Sequence, residues 1–246
     1  MNKHLSNLLF KDVTYYIEKY FLSSFMLYFA LKNLILVVSG IDLMSHTENE
    51  MGQGREYYPL VEHSILFAFN AFDGCILLCS KRPQQAPQSW GQILIPLLSS
   101  YFMLSYNLTS FLPAWMTSNY IPQQWLWGIL TASCLFVLGG ELLGLVAVLY
   151  LRRSFAVFVQ VRDVVLQGPY RYVRHPIYMG HSLLVIGVLL SNVCIAYALI
   201  SVIYIGLLAY RARLEETVLA ANDPAYRKNM ERTGFLFPKL SNFTTP

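Results

Sequence analysis

Residues Gly168–Gly180 read GPYRYVRHPIYMG, and the fold follows from how this stretch meets what comes after it. Two prolines, three tyrosines, Arg171, Arg174 and His175 are gathered immediately ahead of an apolar run. Pro176 lacks an amide hydrogen and has a preset φ, which suits the first position of a helix. It also drives His175 towards extended backbone. A helix is therefore predicted from Ile177 to Ser191, followed by the four-residue turn SNVC and a second apolar run to Tyr210. So short a turn predicts an antiparallel helical hairpin. At 1.5 Å per residue the first helix of the pair is about 22 Å long, short for a hydrocarbon core of about 30 Å. Its entrance is expected to lie in a recess where a polar ligand and a lipid-borne one could meet.

The rest of the chain extends this membrane reading. Of 246 residues, 55% are hydrophobic and 13% charged, about half the charge of an ordinary soluble domain. Six apolar segments, about 21–41, 61–80, 91–112, 125–151, 177–191 and 193–210, approach the roughly 20 residues a spanning helix needs. The connecting loops alternate in charge. The N-terminal arm holds Lys3, Lys11 and Lys19, and the next loop is mostly acidic, with Asp42, Glu48, Glu50 and Glu56 against Arg55. Lys81 and Arg82 follow, then 113–124 without charge, then five arginines between 152 and 174, and a basic tail after SNVC. By the positive-inside rule the predicted fold is an all-α integral membrane bundle of about six transmembrane helices, with both termini and the Gly168–Gly180 stretch cytoplasmic. The N-terminus lacks the pattern of a removable signal peptide. The net charge of +4 reports topology, and no nucleic-acid motif accompanies it. Cys75, Cys79, Cys134 and Cys194 lie in apolar segments without metal spacing and are expected as core residues; no metal site is predicted.

Three groups could carry chemistry. The free amides and dipole at the start of the 177–191 helix, with Arg174 and His175 beside them, make an anion-accepting end. Gly180 and Gly187, two turns apart, leave a strip without side chains on one face, open to a flat ligand or to a neighbouring helix. In YRARLEETVL, Arg211 and Glu215 share a helical face. They are either a surface i,i+4 pair or a buried functional pair, with Glu216 expected to face water. Glu141 in GGELLG and Asp73 are ionisable groups inside apolar segments, either functional or buried hydrogen-bonding groups, and both are expected outside the main site. The tail is predicted to run helical to Leu219, break at NDPAY and resume to Arg232.

RSFAVFVQVRDVVLQGPYRYVRHPIYMG followed, after the hairpin, by RARLEETVL and AYRKNMERTGFLFP resembles the isoprenylcysteine carboxyl methyltransferase family, integral membrane enzymes that use S-adenosylmethionine. The resemblance covers about 150–238. It implies a catalytic region over 150–240, with 1–149 supplying scaffold and substrate access. It implies that Gln160, Arg162, Asp163, Val164, Val165, Tyr170, His175, Pro176, Ile177, Tyr178 and Glu215 surround the methyl donor. Arg211 would face the acceptor, with Arg211 and Glu215 as the catalytic pair. Arg162 and Asp163 depart from the polar residues usual in the family. The expected partners are membrane lipids and a lipophilic or small-molecule acceptor, with no nucleic acid and no metal. Carboxyl O-methylation of an isoprenylcysteine-like substrate is the first expectation. Small-thiol S-methylation and phospholipid amine N-methylation are alternatives, as, more distantly, is a nicotinamide-dependent sterol-type reductase.

Overall fold

A computed structural model describes the backbone of residues 3–46 and 57–239. The acidic residues Glu48, Glu50 and Glu56 and their neighbour Arg55, used above for topology, lie outside the described residues. All regular elements among the described residues are helical: α1 Lys3–Tyr16, α2 Ser23–His46, α3 Tyr57–Leu78, α4 Gly91–Tyr101, α5 Ala114–Thr117, α6 Leu126–Leu151, α7 Pro176–Ser191, α8 Ile195–Asn222 and α9 Pro224–Arg232. The chain is an integral membrane protein. Three helical stretches, Phe10–Gly40, Gln123–Ser154 and Ile195–Asn222, are long and apolar enough to cross a bilayer, and Leu66–Leu78 and Pro176–Ser191 form shorter apolar helices. Large apolar side chains such as Phe21, Leu135 and Val202 point outward from these helices, as lipid-facing positions should.

The first apolar helix is longer than its composition suggests. α1 runs into α2 through a π-helical turn, Ile17–Leu22, so polar residues ahead of the apolar run belong to the same rod. The segment 91–112, expected as one span, is instead an eleven-residue α4 continued by a 3₁₀ stretch, Phe102–Phe111. Tyr101 leaves helical geometry at the junction, with φ −107° and ψ 1°. Cys75 and Cys79 are exposed, against the expectation of core positions; Cys194 is buried.

Helix packing is set by small residues. A Cβ on Gly180 would sit 2.5 Å from the carbonyl oxygen of Gly140, and one on Gly187 would sit 2.7 Å from Val137 Cγ2 and 2.8 Å from the Ser133 carbonyl. These pairings run in opposite directions along the chain, so α6 and α7 are antiparallel and nearly touching, as small residues allow in membranes. The glycine strip is thus filled by a helix and does not line a ligand groove. α7 and α8 form the predicted hairpin across Asn192–Cys194, with the Tyr204 hydroxyl 3.3 Å from His181 Nδ1. α2 and α3 pair through His63 Nδ1 and Asn33 Oδ1 at 2.9 Å. α4 and its 3₁₀ continuation lie against α8, where Tyr106 and Ser201 hydroxyls meet at 2.8 Å and Phe102 stacks on Tyr204.

Beyond the hairpin α8 continues to Asn222, one turn further than predicted. Asp223 then caps α9, its Oδ1 accepting the amides of Ala225 at 2.7 Å and Tyr226 at 3.2 Å, a short polar side chain in its preferred role. After α9 the chain returns to the α7 entrance. The Arg174 and His175 amides donate to the carbonyls of Gly234 and Phe235 at 3.0 and 3.3 Å. Four elements therefore converge on one end of the bundle: the 155–175 connection, the start of α7, the end of α8, and α9 with its tail.

Candidate active site

The connection from α6 to α7 contains no long helix, so its peptide groups need partners from elsewhere. It turns out of α6 at Arg152, whose φ is 49°, and turns again at Gly168, φ 59°. Glycine is required at the second position twice over, because a Cβ would also strike the Tyr150 ring at 2.5 Å. On one side, Val161 exchanges backbone hydrogen bonds with Gln84 and Gln85, and the Val159 amide donates to the Gln92 carbonyl at 3.0 Å. Lys81 Nζ and Gln84 Nε2 both reach Asp163, each at 3.0 Å. On the inner side the residue that holds the connection is Glu18, from the π-turn of the first helix. Its Oε1 accepts the amides of Val157 and Phe158, and its Oε2 receives Gln160 Nε2 at 2.6 Å and the Arg162 guanidinium.

At the other wall, His175 Nε2 lies 3.2 Å from Glu216 Oε1 and Nδ1 lies 3.8 Å from Glu215 Oε2. The imidazole stacks on Tyr178 at 5.4 Å between ring centroids, and the edge of Phe235 closes its other side. Arg174 bonds Glu216 and the carbonyls of Met230 and Thr233, the latter at 2.6 Å. It therefore fastens the tail to α7 and is not a free cation for an anionic guest. Glu216, expected to face water, is instead the shared acceptor of Arg174 and His175, with only 12% of its side chain exposed. The first turn of α8's polar extension is drawn inward because the returning tail covers it.

Arg211 is buried and pairs with the partly buried Glu215. Arg211 Nε lies 3.4 Å from Glu215 Oε1, to which the Tyr178 hydroxyl also donates, and the guanidinium sits 5.2 Å above the Tyr178 ring. Arg211 Nη1 donates to Ser99 and Ser100, and Nη2 to the Val157 carbonyl at 2.6 Å. Four of the five guanidinium hydrogens are thus committed to the protein, which leaves one to offer.

These walls enclose one cavity. All twelve residues named above as donor or acceptor contacts line it: Gln160, Arg162, Asp163, Val164, Val165, Tyr170, His175, Pro176, Ile177, Tyr178, Arg211 and Glu215. So does Arg174, expected at the helix entrance, together with Leu219, Tyr226 and the run Ser154–Val159, which sequence reasoning had not singled out. At its inner end the cavity reaches Met26, Phe69, Asn70, Asp73 and His181. Asp73 therefore belongs to the cavity, contrary to expectation, whereas Glu141 is buried without reaching it. Asp163 is a marginal member, with about half its side chain exposed and committed to Lys81, which holds its carboxyl below the usual range.

Several buried polar atoms on this wall have no hydrogen-bond partner: the hydroxyls of Tyr170 and Tyr226, Gln160 Oε1 and Arg162 Nε. Buried polar groups are normally satisfied, so orphans concentrated on one cavity point to a polar guest. Burial, together with the Glu215 charge, pushes the Tyr170 hydroxyl well above the ordinary phenol range; burial does the same for Tyr226, helped by Glu216 and Glu215. Both stay neutral and able to donate. Burial pushes Arg162 down and Glu18 pulls it back up; it remains a cation.

Residues 132–221 match the sequence model of the isoprenylcysteine carboxyl methyltransferase (ICMT) family. The resemblance drawn from the GPYRYVRHPIYMG and RARLEETVL motifs is borne out over this stretch. The match begins within α6, which the motif resemblance had left out, and ends before α9. No curated protein matches the chain at a significant level.

Proposed function

From the membrane methyltransferase family whose sequence residues 132–221 carry, we propose that this protein transfers a methyl group from S-adenosylmethionine to a lipophilic acceptor. The observation that carries the proposal is the convergence of all twelve residues from the motif resemblance on one cavity. The orphaned Tyr170, Tyr226 and Gln160 atoms fit a ligand with several donors and acceptors. Tyr170, Tyr226, Gln160 and Glu215, with the apolar Val164, Val165 and Ile177, would hold the donor. The walls carry Glu215 and Glu216 beside Arg174 and Arg211, charges of both signs that suit a zwitterion better than a simple anion. When bound, S-adenosylmethionine supplies an electrophilic methyl group on a sulfonium.

What the chain contributes is alignment and exclusion of water. Glu215, only 23% exposed at its side chain, places a carboxylate where a cationic centre is stabilised. The Tyr178 hydroxyl and Arg211 Nε fix its orientation. Arg211 uses its remaining hydrogen to orient the acceptor, and Phe155, Phe158, Ile177 and Phe69 supply apolar wall to the cavity. A carboxylate acceptor is already ionised at neutral pH and needs no base. Carboxyl methylation of an isoprenylcysteine-like molecule is accordingly the acceptor chemistry we propose, at the cytoplasmic face where the basic loops lie.

Calorimetric titration of S-adenosylhomocysteine into the purified protein tests the donor site. Wild type should bind, and His175→Ala and Glu215→Gln should each weaken binding about tenfold or more, the scale of one charged hydrogen bond. Absence of binding by wild type, or equal binding by both variants, refutes the assignment.

A further inference from the structure

Glu18 is a buried charged group to which the family motifs give no role. It lies far outside residues 132–221, in the first helix, and is completely buried. A carboxylate in such a position needs several strong partners, and all of those found come from one short segment. Oε1 takes the consecutive amides of Val157 and Phe158, and Oε2 takes the side chains of Gln160 and Arg162. The π-turn Ile17–Leu22 sets the angle of this side chain. Ser23 Oγ donates to the carbonyls of Lys19 and Tyr20 beside the turn. Such turns within helices recur at functional positions.

A carboxylate clamping a loop could serve stability alone. Two further contacts give it a specific consequence. Val157, whose amide donates to Glu18, also accepts a hydrogen bond from Arg211 Nη2 at its carbonyl oxygen, at 2.6 Å. Glu18 is thereby coupled, through a single residue, to the Arg211–Glu215–Tyr178 network. Gln160 gives Nε2 to Glu18 and keeps Oε1 buried and without a partner on the cavity wall, so Glu18 decides which end of that amide is offered to a guest. We propose that Glu18 is a positioning residue for the methyl-donor pocket, holding Val157, Phe158, Gln160 and Arg162 in register with Arg211 and Glu215. The proposal rests on the donor-site reading above. It makes the first helix a part of the active site, and not only scaffold.

The test uses Glu18→Gln and the double variant Glu18→Gln/Arg162→Met. Glutamine offers the Val157 and Phe158 amides only a neutral oxygen, a weaker acceptor than the carboxylate, and turns its own NH₂ towards Gln160 Nε2 and Arg162, stranding a buried cation. Removing one partner of a buried ion pair is strongly destabilising, so the double variant, which removes the stranded charge, should recover thermal stability. It should not recover the pocket. Relative to wild type, the Val157 and Phe158 amides should exchange hydrogen about tenfold faster or more in both variants, measured without any ligand. S-adenosylhomocysteine affinity should fall by a similar factor, and the donor KM should rise more than kcat falls. A double variant that is as stable as wild type and binds S-adenosylhomocysteine equally well overturns the proposal, as does unchanged exchange at both amides. If wild type itself does not bind S-adenosylhomocysteine, the donor-site reading fails, and the exchange rates alone decide whether Glu18 clamps the loop.

Discussion

Gly180→Ala probes the link between helix packing and the site. The added Cβ would lie 2.5 Å from the Gly140 carbonyl oxygen and 3.1 Å from the Gly144 amide nitrogen. Both obstacles are backbone, so no side chain can rotate away; restoring ordinary contact requires α6 and α7 to separate by about 0.9 Å in a close-packed interior. Overpacking of this kind costs about 1–3 kcal/mol, a fall of roughly 2–12 °C in melting temperature for a chain of this size. Gly180 follows Pro176, Ile177 and Tyr178 on the same helix, with His175 just ahead of it, so the displacement is passed to the cavity wall. A shift of about 1 Å at a reacting centre can lower kcat/KM by up to about a hundredfold. Gly206→Ala is the control, because a Cβ there meets nothing within 4 Å. Losing glycine's freedom in the unfolded chain makes that change neutral or stabilising by about 0.4–1 kcal/mol. Thermal unfolding in detergent and methyl-transfer kinetics on both variants decide the matter. If Gly180→Ala matches Gly206→Ala in melting temperature and turnover, the packing argument is wrong.

Two further outcomes follow from the polar network. Arg211→Lys keeps the charge but loses the fork that spans Ser99, Ser100, Val157 and Glu215; turnover should fall more than S-adenosylhomocysteine affinity, and a parallel loss of both would move Arg211 into the donor pocket. The hydroxyls of Tyr170 and Tyr226 are raised above the ordinary phenol range in the folded state. Their contribution to stability is therefore complete below the unfolded phenol pKa of about 10 and is lost only as pH rises through the folded values. Tyrosinate absorbance gained between pH 8 and about 10.5 should be the same in wild type, Tyr170→Phe and Tyr226→Phe; a variant that loses a titrating phenol in that window contradicts the burial argument.

The C-terminal half was legible because its signals are local. Pro176 marks the start of α7, SNVC dictates a hairpin, and Asp223 with Pro224 separates α8 from α9; each depends on residues adjacent in the chain. The paired motifs likewise located the cavity wall. What escaped depends on partners far away in sequence. Glu216 reads as a solvent-facing residue until the returning tail brings Arg174 and His175 to it. The Gly180–Gly187 strip admits either a ligand or a helix, and only the facing Gly140 and Ser133 decide. Glu18 is separated from Arg162 by 144 positions. The one clue to it was an acidic residue near an apolar run, which is costly in a membrane and so implies a partner. The break at Tyr101 carries no glycine or proline at the junction and had no comparable signal.

The most direct test of the central claim is to incubate membranes containing the protein with methyl-labelled S-adenosylmethionine and to extract the lipid phase. The account predicts base-labile label, the signature of a methyl ester, that falls to background with Glu215→Gln. Volatile label would redirect the acceptor to a small thiol, and base-stable label to an amine. No label above membranes lacking the protein, or equal label from Glu215→Gln, would contradict the assignment of this cavity as a methyl-transfer site.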